Sequence, residues 1–239
     1  MNCCNRFNLL CLPFAGGSKF SYRAFQEKAD PYFTVIPIDY PGRGKRGGEK
    51  AIDNVEGIVC DAFKQVKDSI VNHQYAVYGH SMGGLIAWLL CKKISEANMH
   101  LPKHLFVTGT SGPSSETRKE NKWHLLGRSQ FIQKIRDLKG CPDEILDNEG
   151  MMDYIEPVLR TDFRAIETFV YKPGPPLHVP ITVITGTNEP IKMEDVHLWR
   201  KESLFPVSFS RLEGDHFFIY HQTAALVEII RNRINAFVH

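Results

Sequence analysis

Six short apolar runs, spaced between stretches of helical period, constrain this chain more than any other feature. They are FNLLCLP (Phe7 to Pro13), FTVIPI (Phe33 to Ile38), QYAVYG (Gln74 to Gly79), HLFVTG (His104 to Gly109), ITVITG (Ile181 to Gly186) and VSFSRL (Val207 to Leu212). Each is too short for a helix core, and most end at glycine or proline, so each reads as a strand. Between them, Tyr22 to Ala29, Val55 to Val71, Leu85 to Ile94 and Thr223 to Phe237 read as helices. The second carries Val55, Ile58, Val59, Ala62, Phe63, Val66 and Ile70 at helical spacing. The third is apolar almost all round, which predicts burial on most sides. Strands that alternate with helices predict an α/β fold: a mostly parallel sheet with helices on both faces. Pro37 cannot donate to a strand ladder and belongs at an edge or a strand end.

After Gly112 the pattern changes. Residues 113–176 hold no strand signal but carry amphipathic helical stretches: Phe131, Ile132, Ile135 and Leu138, then Met151, Met152, Ile155, Val158 and Leu159. The breaker YKPGPP closes the segment. The expected organisation is a core of 1–112 and 177–239 with a helical insertion at 113–176.

Composition excludes some function classes. A net charge of +2 speaks against a nucleic-acid binder. No apolar run reaches the roughly 20 residues of a membrane span. Leu9 to Ala15 is short, holds a proline and precedes glycines, so it reads as strand and loop rather than a signal peptide. The cysteines are irregularly spaced, and Cys11, Cys60 and Cys91 lie in apolar surroundings, which fits free thiols in the cytoplasm.

The chemistry centres on VYGHSMGGLIAW (Val77 to Trp88). Gly79-His80-Ser81-Met82-Gly83 matches G-x-S-x-G and sits between a strand and a helix, the context in which a sharp turn lifts a serine hydroxyl above the sheet. The backbone N–H groups at the helix start favour negative charge at the same spot. A serine hydroxyl needs a base to become a nucleophile. With the order serine, acid, histidine, the base is His216 in EGDHFFIYH, after the last strand, with His221 as runner-up. His80 reads as a packing or hydrogen-bonding residue of the turn. The acid is Glu189, the first carboxylate after ITVITG; Asp195 and Asp215 are the alternatives. Two backbone donors must stabilise an oxyanion: Met82, after the serine, and Ala15 in the glycine-rich PFAGGS loop, with Phe14 as alternative.

LPFAGGSKFSYRAF, IDYPGRGKR, YGHSMGG, RTDFRAIETFVY, ITVITGTNEP and LEGDHFF together resemble the α/β-hydrolase fold. More narrowly they resemble the stand-alone (type II) thioesterases of nonribosomal peptide and polyketide assembly lines. The resemblance implies Ser81 as nucleophile, His216 as base, Glu189 as acid and donors at Ala15 and Met82. It departs from the family at the acid, where Asp is usual and this chain has Glu189 after Thr187 and Asn188. It implies hydrolysis of acyl or peptidyl thioesters from the phosphopantetheine arm of a carrier protein, with no cofactor of the enzyme's own and the carrier on a separate chain. A medium-chain acyl-carrier thioesterase of fatty-acid synthesis, a generic serine esterase and a non-catalytic hydrolase-like binding protein are the alternatives. The insertion then reads as a lid, with Trp123, Leu126, Phe131, Met151 and Tyr154 lining an acyl channel. The basic loop of Arg43, Lys45, Arg46 and Lys50 reads first as a solvated loop, with attraction of an acidic carrier surface or of the arm's phosphate as the alternative.

Overall fold

The computed structural model describes residues 6–71 and 73–235. All six apolar runs are strands: β1 (Asn8–Leu12), β2 (Thr34–Pro37), β3 (Tyr75–His80), β4 (Leu105–Thr108), β5 (Ile181–Gly186) and β6 (Ser208–Leu212). They form one sheet in the order β2-β1-β3-β4-β5-β6, every neighbouring pair parallel. β2 is an edge strand and Pro37 is its last residue, where its missing N–H costs no ladder bond.

Alternate residues of each strand serve opposite faces of the sheet. Leu10, Leu12 and Val77 pack with helices α2 (Val55–Val66) and α3 (Met82–Glu96). Leu9, Cys11 and Tyr78 pack with α1 (Arg23–Ala29) and α9 (Thr223–Ile234). Both faces are covered, so β3 is buried along its whole length and its sequence reads as a continuous apolar run. α3 buries Leu85, Ile86, Ala87, Trp88 and Leu90, on every side of the helix, because it is sandwiched between the sheet and α2.

Two helices are shorter than their apolar patterns. α2 stops at Val66, where Ser69 turns back with both its N–H and its hydroxyl onto the Val66 carbonyl, at 2.9 and 2.8 Å. Ile70 stays buried beyond that turn, which is why its spacing mimicked another helical turn. α9 ends at Ile234, and Phe237 lies outside the described residues.

Between β4 and β5 the chain makes α4 (Thr117–Glu120), α5 (Arg128–Asp137), α6 (Asp143–Leu146) and α7 (Glu149–Glu167). Of these, α5, α6 and α7 share a small apolar cluster of their own, with Phe131, Ile135, Leu146, Met152, Leu159 and Phe163. α8 (Met193–His197) follows β5. Among the described residues no helix is long and apolar enough to cross a membrane. Cys11, Cys60, Cys91 and Cys141 are free thiols.

The chain order places the site. From β1 the chain moves outward to β2, then returns to the other side of β1 for β3 and continues through β4, β5 and β6. The crevice at the carboxyl ends of β1 and β3 is therefore the switch point where ligands settle in such sheets. The loops that follow these two strands are PFAGGS and the Ser81 turn.

Candidate active site

Ser81 stands between the last residue of β3 and the first of α3, at φ 53° and ψ −120°. A non-glycine residue in that region is strained, at a cost on the order of 1–3 kcal/mol. The surroundings impose it. The Ser81 N–H donates to the Thr108 carbonyl at 2.8 Å, and the Gly84 N–H donates to the Ser81 carbonyl at 2.9 Å. A Cβ on Gly79 would lie 2.1 Å from the Gly83 oxygen, and one on Gly83 would lie 2.0 Å from the Leu12 oxygen. The flanking glycines are required because helix and strands meet backbone to backbone. Ser81 is the N-cap residue of α3, yet its hydroxyl does not cap the helix. It points at His216 instead.

The His216 Nε2 lies 3.0 Å from the Ser81 oxygen, and its Nδ1 lies 2.6 Å from Glu189 Oε1. A carboxylate only accepts, so Nδ1 carries the proton and Nε2 is left as the acceptor for the serine hydroxyl. The other Glu189 oxygen accepts the Gly186 N–H at 2.7 Å, which ties the carboxylate back to the end of β5. That anchor accommodates the extra methylene of glutamate. Gly109, at φ +60°, makes the space: a Cβ there would lie 2.4 Å from the His80 ring and 3.1 Å from Glu189 Oε1.

His80 is fully buried, with Nδ1 on the Thr108 hydroxyl at 3.0 Å and Nε2 without a partner among the described residues. Burial, together with His216 nearby, pushes its pKa well below the ordinary histidine range. It stays neutral beside the site, its ring 4.9 Å from that of His216. The alternative residues are engaged elsewhere. Asp195 accepts from the Thr117 hydroxyl at 2.7 Å, Asp215 faces Lys139 at 3.4 Å, and His221 is exposed.

Ala15 lines a cavity of about 330 Å³ together with Ser81 and His216. Met82 is the first residue of α3, so its N–H has no intrahelical acceptor. Phe14, the alternative donor, lines the same cavity and packs its ring edge-on against His80 and Phe217. A second cavity of about 230 Å³ opens on the other side of Ser81, lined by Met82, Thr110, Arg118 and Lys192.

The residues expected to line an acyl channel divide. Trp123 lines the larger cavity. Leu126 and Phe131 instead pack inside the helical block, Phe131 beneath the Arg160 guanidinium and against Phe163. Met151 and Tyr154 are corrected outright: they are 50% and 69% exposed. α7 turns Met152, Leu159 and Phe163 inward, which leaves Met151 and Tyr154 on its outer side. Among the lining residues that sequence reasoning missed, Ile155, Leu159, Phe163 and Ile166 form a row on α7, and Ile135 and Leu138 face them. A helical phase through 152, 155, 159, 163 and 166 marks this face, but Met151, Tyr154 and Val158 make a competing apolar row, so the period alone does not choose between them.

The basic loop is also corrected. Arg43 is buried and pairs with Asp162, while Arg46 is held by Asp61 and Glu49, each at 2.5 Å. The Nη groups of both are bonded within the chain, and only Lys45 and Lys50 of the four stand exposed.

The thioesterase domain family model matches residues 7–234. The gramicidin S biosynthesis protein GrsT of Aneurinibacillus migulanus is 32% identical over 231 residues, covering 96% of this chain and 90% of its own. The medium-chain S-acyl fatty acid synthase thioesterase of Rattus norvegicus is 26% identical, covering 89% and 81%. Among solved structures, the RedJ thioesterase of the prodiginine pathway in Streptomyces coelicolor superposes with a TM-score of 0.88 at 31% identity, covering 95% and 85%. The type II thioesterase BorB of the borrelidin cluster gives 0.87 at 28%, covering 95% and 92%.

Proposed function

The chain belongs to the thioesterase domain family, and we propose that it hydrolyses acyl or peptidyl groups from the phosphopantetheine arm of carrier proteins in a nonribosomal peptide or polyketide assembly line. One observation carries this reading: the Glu189–His216–Ser81 relay, at 2.6 and 3.0 Å, opens onto an apolar cavity. GrsT, RedJ and BorB, named for gramicidin S, prodiginine and borrelidin biosynthesis, stand at 32%, 31% and 28% identity against 26% for the rat fatty acid synthase thioesterase, which favours the assembly-line reading over the fatty-acid one.

Ser81 Oγ attacks the thioester carbonyl as His216 Nε2 takes its proton. The carbonyl oxygen becomes an oxyanion between the N–H groups of Ala15 and Met82. The Glu189 carboxylate stabilises the imidazolium while it exists. Collapse breaks the C–S bond, and His216 returns the proton to the departing thiol of the arm. Water, activated by His216, then cleaves the Ser81 ester and releases the free acid. The phosphopantetheine belongs to the substrate, and the enzyme supplies no cofactor. The helical block between β4 and β5 acts as a lid whose α7 face walls the acyl cavity. The carrier is a separate chain, and the free thiols fit a cytoplasmic site of action.

The test is a panel of acyl-carrier thioesters of graded chain length, run beside free esters of the same acyl groups. The expected outcome is turnover of the carrier thioesters in preference to the esters, abolished in Ser81→Ala and reduced roughly 10⁴-fold in kcat by Glu189→Ala. Equal turnover of the free esters would move the protein to the generic esterases. A mild Glu189→Ala would remove that residue from the relay.

A further inference from the structure

We propose that Asp162, on the lid helix α7, is a positioning residue for the oxyanion donor at Ala15, so that the seated lid sets one half of the oxyanion site. The inference deepens the thioesterase mechanism above and rests on it.

Asp162 is fully buried and its carboxylate reaches two separate parts of the body. Oδ2 accepts the Gly16 N–H at 2.7 Å. Both oxygens are forked by the Arg43 guanidinium, with the Arg43 Nη2 to Oδ1 bond at 2.7 Å. Arg43 is only 6% exposed and lies over the Tyr40 ring, whose hydroxyl donates to the Pro13 carbonyl at 3.2 Å. Two segments distant in sequence, α7 and the stretch from Tyr40 to Arg43, thus close on the PFAGGS loop at its centre and its start.

The loop is a turn. The Gly17 N–H donates to the Phe14 carbonyl at 2.9 Å, with Ala15 and Gly16 between them. Gly16 sits at φ +75°, the value a type II turn needs at its third position. The central peptide of such a turn has an alternative, flipped orientation, and the turn's own hydrogen bond does not choose between them. The Asp162 acceptor does. It holds the planar Ala15–Gly16 peptide by its N–H, and so fixes the backbone on one side of the Ala15 Cα. The lid also roofs the loop at this point, since a Cβ on Gly16 would lie 2.5 Å from Leu159 Cδ2.

A buried ion pair is a poor way merely to glue a lid, because apolar residues of similar volume hold as well or better. What the carboxylate adds is direction: an acceptor aimed at one N–H, with the Arg43 guanidinium beside it as counter-charge. Lid seating and oxyanion geometry are then one event, and a displaced lid leaves the Ala15 peptide unheld.

The experiment compares wild type with Asp162→Asn and with the double variant Arg43→Met/Asp162→Leu, which refills the space with apolar atoms. Melting temperature, kcat and KM on an acyl-carrier thioester are measured. So is the affinity for a trifluoromethyl ketone analogue, which adds the serine oxygen to give a tetrahedral alkoxide in the oxyanion site. The expected result, read in a folded variant that lacks the Asp162 acceptor, is a kcat lower by roughly 10- to 100-fold. KM should stay within about twofold, and ketone affinity should fall by the same factor as kcat/KM. Asp162→Asn keeps an oxygen for the Gly16 N–H while its amide nitrogen faces the guanidinium, so it should hold kcat near wild type and serves as the conservative rescue; if the double variant folds poorly, Asp162→Leu alone, assayed below its own melting transition, takes its place. An unchanged kcat and ketone affinity in a folded variant that lacks the Asp162 acceptor, or a rise in KM alone, would overturn the proposal and leave Asp162 as a packing residue of the lid. No wild-type turnover on any acyl-carrier thioester would instead sink the thioesterase reading itself, and this inference with it.

Discussion

Ser81 and its partners were legible because turn chemistry is local. A hydroxyl among glycines between two apolar segments marks a backbone approach that no other residue permits, and Gly79 and Gly83 have no room for a Cβ. Glu189 was legible only by its place after β5. Its fitness as a partner for His216 depends on the Gly186 N–H that draws the longer side chain back. His80 was legible only as a residue of the turn; its charge state depends on burial. His104, buried and bonded to the Thr182 hydroxyl at 2.9 Å, is held down to about 4 by burial, with Arg233 adding to the effect. For both histidines the folded pKa lies below the unfolded one, so above about pH 6.5 neither state binds the proton and no stability is lost. As pH falls below about 6.5 the unfolded chain takes up protons that the folded protein refuses, and stability declines. The slope is at most about 1.4 kcal/mol per pH unit per histidine, and for His104 it ends near pH 4. Melting temperatures scanned from pH 7.5 to 4.5 should fall on the acid side, and His104→Gln should flatten that fall. An identical slope in the variant would show that other groups set it.

At the scale of elements, six strands and the main helices of the core followed from period and flanking residues, since a sheet covered on both faces writes itself as apolar runs. Pro37 found the edge for the same local reason. The lid helix was harder. α7 carries apolar residues on more than one side, and only the cluster beneath it decides which side turns in. That choice has a functional consequence. Leu159→Trp should narrow the cavity and lower kcat/KM for long acyl groups by about 10-fold or more relative to short ones. Met151→Ala and Tyr154→Ala, on the outer side, should leave the chain-length profile as it is. The same carrier-thioester panel measures both, and a shifted profile in Met151→Ala would mean the outer face contributes to the channel.

For the whole molecule, the telling feature is that the basic loop turned inward. Arg43 and Arg46 looked like a patch for an acidic partner, but their charge is spent on Asp162, Asp61 and Glu49. Arg43→Met alone should strand the Asp162 carboxylate in the interior. Its expected cost is about 3–5 kcal/mol, seen as a lower midpoint in urea unfolding, and the Asp162→Leu partner change should restore most of it. Additive losses in the double variant would show that the two side chains do not depend on each other.

The sequence alone determined where the strands and core helices run, which serine stands on a strained turn and which histidine and carboxylate follow it in order. Those features depend on neighbours a few residues apart, and period and turn geometry report them. Only the tertiary structure decided which face of α7 walls the cavity and that Asp162 meets Arg43, 119 positions away, above the Gly16 N–H. Such contacts are chosen by packing and by the cost of burying a charge without its partner, and neither exists until distant segments have closed on one another.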